Sequence, residues 1–157
     1  MKKALVIGYG NTLRSDDGVG VAIAGRIAAL HLPHVDVRTC HQLYPEMAAE
    51  IVQYDTVIIV DASASGEAMA VRKFAPISAA SPSTNHNVSP EMLQQLAREI
   101  YGAAVTMHVY TVRGESFEFG SELSPHVKER ATQTVASIAS LLQQIQQKSM
   151  NVPFMLN

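Results

Sequence analysis

Two short runs, Ala4-Leu5-Val6-Ile7 and Thr56-Val57-Ile58-Ile59-Val60, constrain this chain more than any other feature. Each is uncharged and apolar almost throughout, and neither alternates with polar residues. Continuous hydrophobicity over four or five residues is the pattern of a strand covered on both faces, which belongs in a sheet with helices above and below. The first run stops at Gly8, and the second stops at Asp61, followed by the small residues Ala62 to Gly66.

The segments between and after these runs supply the covering layers. Val21 to Leu30 places apolar residues at helical spacing around Arg26, and Pro33 ends it. His34 to Arg38 alternates like a half-buried or edge strand, and Pro45 suits the first position of a helix reaching about Tyr54. Met69 to Phe74 can add a strand, and the Ser, Ala and Pro cluster from Ala75 to Asn85 reads as a loop. Ser89 caps a helix that opens on Pro90, and Val105 to Val112 forms a last strand. Pro125 to Gln147 is a long helix with Val127, Ala131, Val135, Ile138 and Leu142 at spacings of three and four, and the tail from about residue 148 is expected to fray. The expectation is an α/β fold in a single domain over residues 1–157, with a mostly parallel central sheet. Functional loops in such sheets lie beyond the carboxyl ends of the strands.

Composition removes several classes of partner. A formal charge of -2 offers no broad basic surface for nucleic acid or anionic lipid. No apolar stretch approaches the roughly 20 residues that cross a bilayer, so membrane insertion is not expected. Cys40, the single cysteine, excludes an internal disulfide, and no secretory leader is legible after Met1. The expected compartment is the cytoplasm.

The densest chemical signal is the loop Gly8-Tyr9-Gly10-Asn11-Thr12-Leu13-Arg14-Ser15-Asp16-Asp17-Gly18-Val19-Gly20. A dinucleotide fingerprint needs a third glycine where Leu13 stands, and Asp16 and Asp17 would repel a pyrophosphate at the helix start. Asp16 can be read as the helix N-cap, which leaves Asp17 unexplained. Asp61, at the carboxyl end of the strongest strand, can approach Asp17 from a neighbouring strand end. Like charges so placed call for a proton or a cation, and His86, ahead of a capped helix, is the histidine best placed to join them as a ligand. The plain alternative is a cap, a strand-end hydrogen bond and a surface histidine.

Other candidates are weaker. His31 and His34 flank Pro33 and read as loop residues, His108 as a half-buried strand residue and His126 as a surface residue. Cys40 and His41 suggest a thiol with its base, but consecutive strand residues point to opposite faces. Ser63 and Ser65 lack the Gly-x-Ser-x-Gly turn of a serine hydrolase.

The loop Gly8 to Gly20 resembles the opening motif of the hydrogenase maturation endopeptidase family: a strand, Gly-x-Gly-Asn, a Leu, an acidic pair and Gly-x-Gly. The resemblance continues through Gln42-Leu43-Tyr44-Pro45-Glu46, Val60-Asp61-Ala62, His86 ahead of a helix, and the stretch Val112 to Pro125 with Glu115 and Leu123-Ser124-Pro125. It spans Lys3 to about Leu142. It implies a three-layer αβα sandwich and a peptidase that removes the C-terminal extension of a nickel-iron hydrogenase large-subunit precursor after nickel insertion. Asp17, Asp61 and His86 match the family's metal-binding positions. The metal would be nickel supplied by the precursor, with zinc or cadmium able to occupy the same ligands, and Asp16 or Asp17 would accept a proton during hydrolysis. Many members carry Asp-Gly-Gly where this chain has Thr39-Cys40-His41, a stretch associated with substrate discrimination, so the departure bears on which hydrogenase is the partner. A rival reading is a non-catalytic assembly factor that checks nickel and holds the precursor. A third is a generic metal-dependent amidase acting on small substrates.

Overall fold

The computed structural model describes residues 3–74 and 88–150. Strands β1 (Ala4–Tyr9), β2 (Val35–Cys40), β3 (Thr56–Ser63), β4 (Met69–Phe74) and β5 (Thr106–Arg113) form one sheet in the order β2-β1-β3-β5-β4. All pairings are parallel except that of β4, which runs antiparallel to β5 at one edge. Helices α1 (Val19–Ala29), α2 (Met47–Ile51), α3 (Pro90–Tyr101) and α4 (Pro125–Met150) cover its two faces. The expected αβα sandwich with a mostly parallel sheet is the fold observed.

Strand periodicity sorts the core into two clusters, one on each face. Ala4, Val6, Ile58, Val60, Tyr110 and Val112 pack against α1 and α4 through Ile23, Ile27, Val127, Ala131, Val135 and Ile138. Leu5, Ile7, Val57, Ile59, Met107 and Val109 face the other way, onto Met47 and Ile51 of α2 and Leu93 and Ala97 of α3. The central residues of β1 and β3 are therefore fully buried, as their unbroken hydrophobicity requires. Each such Ile, Leu or Val contributes roughly 1.5–3 kcal/mol.

Local signals act where they were read. Ser89 Oγ accepts from the Met92 N–H at 3.2 Å, with Pro90 next in the first helical turn of α3. Three elements differ by about three residues at an end. Pro45 and Glu46 lie in a tight turn, so α2 is only five residues long; i to i−3 bonds such as Ala48 N–H to the Pro45 carbonyl take up the first residues. β3 outlasts its apolar run and reaches Ser63, because β5 continues alongside and pairs Asp61, Ala62 and Ser63 with Thr111, Val112 and Arg113. α4 persists to Met150, past the expected fraying point. The loop expected at Ala75 to Asn85 and the end of the tail lie outside the described residues. Among the described residues no helix is long and apolar enough to cross a membrane.

The order β2-β1-β3 places a topological switch at the centre of the sheet. From β1 the chain passes by way of α1 to β2 on one side, then returns by way of α2 to β3 on the other. The carboxyl ends of β1 and β3 therefore open into a crevice that no crossover fills. Helix α1 begins directly over it: a Cβ on Gly20 would collide with the carbonyl oxygens of Val60 and Tyr9, and one on Gly8 with the carbonyl of Gly20 and the side chain of Ala24.

Gly20→Ala should cost roughly 1–3 kcal/mol in urea unfolding, because the added methyl meets backbone rather than a movable side chain. Gly25, exposed on the same helix with open space where a methyl would stand, is the control: Gly25→Ala should stabilise by roughly 0.5–1 kcal/mol. Equal effects at the two positions would refute the close-approach argument.

Candidate functional site

The segment after β1 turns away from the sheet at Gly10, whose φ of 147° suits glycine and whose missing side chain makes room for the Asp17 carbonyl. The chain then makes a single 3-10 turn, Ser15–Gly18, before α1. In a 3-10 turn consecutive side chains diverge by about a third of a revolution, so Asp16 and Asp17 point to different surroundings.

Asp16 is fully buried. Its Oδ1 accepts from the Ser124 N–H at 2.7 Å, and its Oδ2 accepts from the Glu115 N–H at 2.8 Å, the Ser116 N–H at 2.9 Å and the Ser124 hydroxyl at 2.7 Å. Burial alone would raise its pKa, but these donors outweigh it and hold the carboxyl below its ordinary value. Two sequence expectations are corrected here. Asp16 is not the helix cap, since α1 is preceded by Gly18 with no side-chain cap. Nor is it available as a proton acceptor, since it is closed from solvent and its oxygens already bind the segment that leads into α4. The same segment is tied by Ser15, which takes a left-handed φ of 52° and is bonded on both sides, N–H to the Gly120 carbonyl and hydroxyl to the Glu118 carbonyl.

Asp17 faces the crevice. Its Oδ2 accepts from the Asn11 N–H at 2.7 Å. Asp61, on β3, lies across from it, with its Oδ2 accepting from the Tyr9 hydroxyl at 2.7 Å. Both carboxylates line one cavity of about 290 Å³ with Tyr9, Gly10, His41, Gln42, Leu43 and Val88. Burial pushes the Asp61 pKa up, and the negative charge of Asp17 pushes it further, against the stabilising bonds from Tyr9 and the Ala62 N–H. Burial, then the Asp61 carboxylate, raises Tyr9 as well, so the phenol keeps its proton as donor.

The structure thus brings Asp17 and Asp61 together. His86 lies outside the described residues. Among the described residues no three His, Cys, Asp or Glu side chains gather closely enough to hold a metal ion by themselves. His31, His34 and His126 are exposed and His108 is half-buried beside Lys73, none of them at the cavity. Tyr9, His41, Gln42 and Leu43 are lining residues that the motif reading did not assign. The available signal was positional, since Tyr9 ends β1 and His41 follows the end of β2 at the same edge of the sheet. Cys40 is half-buried, and burial raises its thiol pKa, which makes it a poor nucleophile at neutral pH.

No protein-family model matches the chain, and no curated protein is similar to it in sequence. Solved structures are similar in fold. A [NiFe] hydrogenase maturation protease HycI from Thermococcus kodakarensis KOD1 superposes with a TM-score of 0.72 at 24% identity, over 90% of this chain and 93% of that one. The hydrogenase maturating endopeptidase HybD from E. coli gives 0.68 at 23% identity, again over 90% and 93%. A hydrogenase 2 maturation peptidase from a Thaumarchaeota archaeon gives 0.67 at 22% identity, over 90% and 98%. Several structural neighbours of this chain are therefore hydrogenase maturation peptidases aligned along about nine-tenths of its length.

Asp16→Asn should destabilise the fold by roughly 2–4 kcal/mol, because the amide nitrogen, itself a donor, must face at least one buried N–H that then has no acceptor. The linkage sign follows from the lowered pKa. The Asp16 contribution is full above the ordinary carboxylate range and is lost as pH falls through its depressed folded value. Urea unfolding between neutral and acid pH should show a shallower acid loss in Asp16→Asn than in wild type; parallel curves would contradict the clasp. Cys40→Ser should leave any hydrolytic activity within about twofold of wild type, and abolition of activity would restore the thiol as nucleophile.

Proposed function

We propose that this chain is a hydrogenase maturation endopeptidase, acting on the C-terminal extension of a nickel-iron hydrogenase large-subunit precursor. The single observation that carries the reading is the convergence of Asp17 and Asp61 in one cavity at the sheet's switch point. The αβα fold along the chain and the ordered motif pieces support it. Two carboxylates lining one cleft are unfavourable until a cation joins them, and Asp61 is raised first by burial and then, more weakly, by the charge of Asp17.

In this reading the cation is nickel carried by the precursor. Asp17 and Asp61 supply hard oxygen ligands, and His86 is assigned as the nitrogen ligand that completes the set. Docking and inspection of the metal then become one event, since a precursor without nickel leaves the carboxylates repelling each other. Few ligands from one protein select weakly among divalent ions, so the precursor's own metal geometry supplies the rest of the discrimination. The bound metal polarises a carbonyl or activates water for hydrolysis. With Asp16 closed from solvent, Asp17 is the residue assigned to proton transfer. His41, which lines the cavity, ends the Thr39-Cys40-His41 stretch that stands where many members carry Asp-Gly-Gly, and it is assigned to contact with the particular precursor.

The test is intact mass of the large-subunit precursor after incubation with the purified chain. Nickel-loaded precursor should lose its extension, and metal-free precursor should stay whole. A stable complex with an uncut precursor would favour the non-catalytic assembly factor, while turnover of short peptides with a protein-held metal would favour the general amidase. Rapid cutting of metal-free precursor would remove nickel checking and leave the peptidase assignment. Asp17→Asn, Asp61→Asn and His86→Ala should each reduce processing by about a hundredfold or more. Asp61→Asn should at the same time keep or raise the melting temperature, because a buried acid with a raised folded pKa opposes folding at neutral pH. Loss of processing through unfolding would assign Asp61 to the fold instead.

A further inference from the structure

Both carboxylates at the cavity are held from the same three residues. Tyr9 and Asn11 flank Gly10: the Tyr9 hydroxyl donates to Asp61 Oδ2 and the Asn11 N–H donates to Asp17 Oδ2, each at 2.7 Å. Between them Gly10 packs against the Asp17 backbone with no room for a side chain. The parallel register explains why Tyr9 reaches Asp61. Gly8 pairs with Val60, so the next residue of each strand falls on the same sheet face, beyond the last β1–β3 pairing. That face carries Leu5, Ile7, Val57 and Ile59, and the Tyr9 ring packs at its margin beside Cys40. Packing therefore fixes the ring, and the hydroxyl is left to fix the carboxylate.

We infer that Tyr9 is a positioning residue which, with Asn11, presets the separation and orientation of Asp17 and Asp61 before a cation arrives. The inference rests on the proposed role of this pair in engaging a divalent metal. Asp17 and Asp61 line the same cavity and carry like charge, so an untethered Asp61 would rotate away from Asp17 in the absence of metal, and binding would have to gather it back. The 2.7 Å bond from Tyr9 removes that reorganisation. It also occupies one oxygen of Asp61, which favours attachment of the metal through the other and disfavours large ions that take a carboxylate through both oxygens.

The experiment uses the full chain, wild type and Tyr9→Phe, with cobalt chloride as the probe, read by isothermal titration and by the visible absorption of the bound ion. Tyr9→Phe should melt at the wild-type temperature within a few degrees. It should bind cobalt about 10- to 100-fold more weakly, and its kcat/KM on nickel-loaded precursor should fall by a similar factor. In an Asp61→Asn background the same substitution should cause no further loss, because Tyr9 acts through that carboxylate. Wild type that binds cobalt, beside a Tyr9→Phe protein that binds it equally well, would overturn the positioning role and leave the metal site standing. An additive loss in the double variant would overturn it too, as would a Tyr9→Phe protein that fails to fold. Wild type that binds no cobalt would overturn the inference, since a preset pair should take up a cation without the precursor, and would leave the substrate-borne metal reading standing.

Discussion

Where helix α1 meets the sheet, Gly20 lies so close to the carbonyl oxygens of Tyr9 and Val60 that no side chain fits between them. That contact fixes the helix directly over the carboxyl ends of β1 and β3, and the rest of the site is built outward from it. The 3-10 turn immediately before the helix is held at the mouth of the crevice, which puts Asp17 in reach of Asp61. Gly8, one layer deeper, lets the same helix settle against β1. Backbone packed on backbone in this way resists movement more than side chains do, and a preset pair of carboxylates needs such a support.

Asp16 and Asp17 show how one turn divides two tasks. Adjacent in sequence and chemically identical, they diverge because the turn rotates each residue away from the last. Asp16 goes inward, where four donors from Glu115, Ser116 and Ser124 satisfy it and bind the start of α4 to the loop. Asp17 goes outward, where one donor orients it and the opposing carboxylate leaves it short of positive charge. The buried charge is affordable only because it is so fully bonded. Its neighbour accepts a bond from the Asn11 N–H and is left facing the cavity.

The distribution of stability follows the same line. The two cores on either side of the sheet hold the parallel strands without help from the crevice, so residues at the strand ends are free to serve chemistry at some cost in folding energy. Asp61 stands at the limit of the hydrophobic run of β3, where the fully buried Val60 gives way to half-buried residues. β5 extends pairing past that point while β1 does not. The unequal lengths leave Asp61 supported on one flank and open to Asp17 and Tyr9 on the other.

The sequence by itself determined the layers. Continuous hydrophobicity in β1 and β3 demands cover on both faces, the spacing of apolar residues in α1 and α4 supplies it, and Ser89-Pro90 and the glycines mark where elements begin and turn. Those are local consequences of burial and backbone geometry, so they can be read without neighbours. The loop motif and the strand-end position of Asp61 also pointed to the two carboxylates that meet in the cavity. What Asp16 does could not be read, because its partners lie about a hundred residues away in sequence and three of its four donors are backbone N–H groups, which no residue type reveals. The use of Tyr9 was equally hidden. A tyrosine at a strand end is compatible with packing, with a hydrogen bond or with both, and only the register of β1 against β3 decides that its hydroxyl falls beside Asp61.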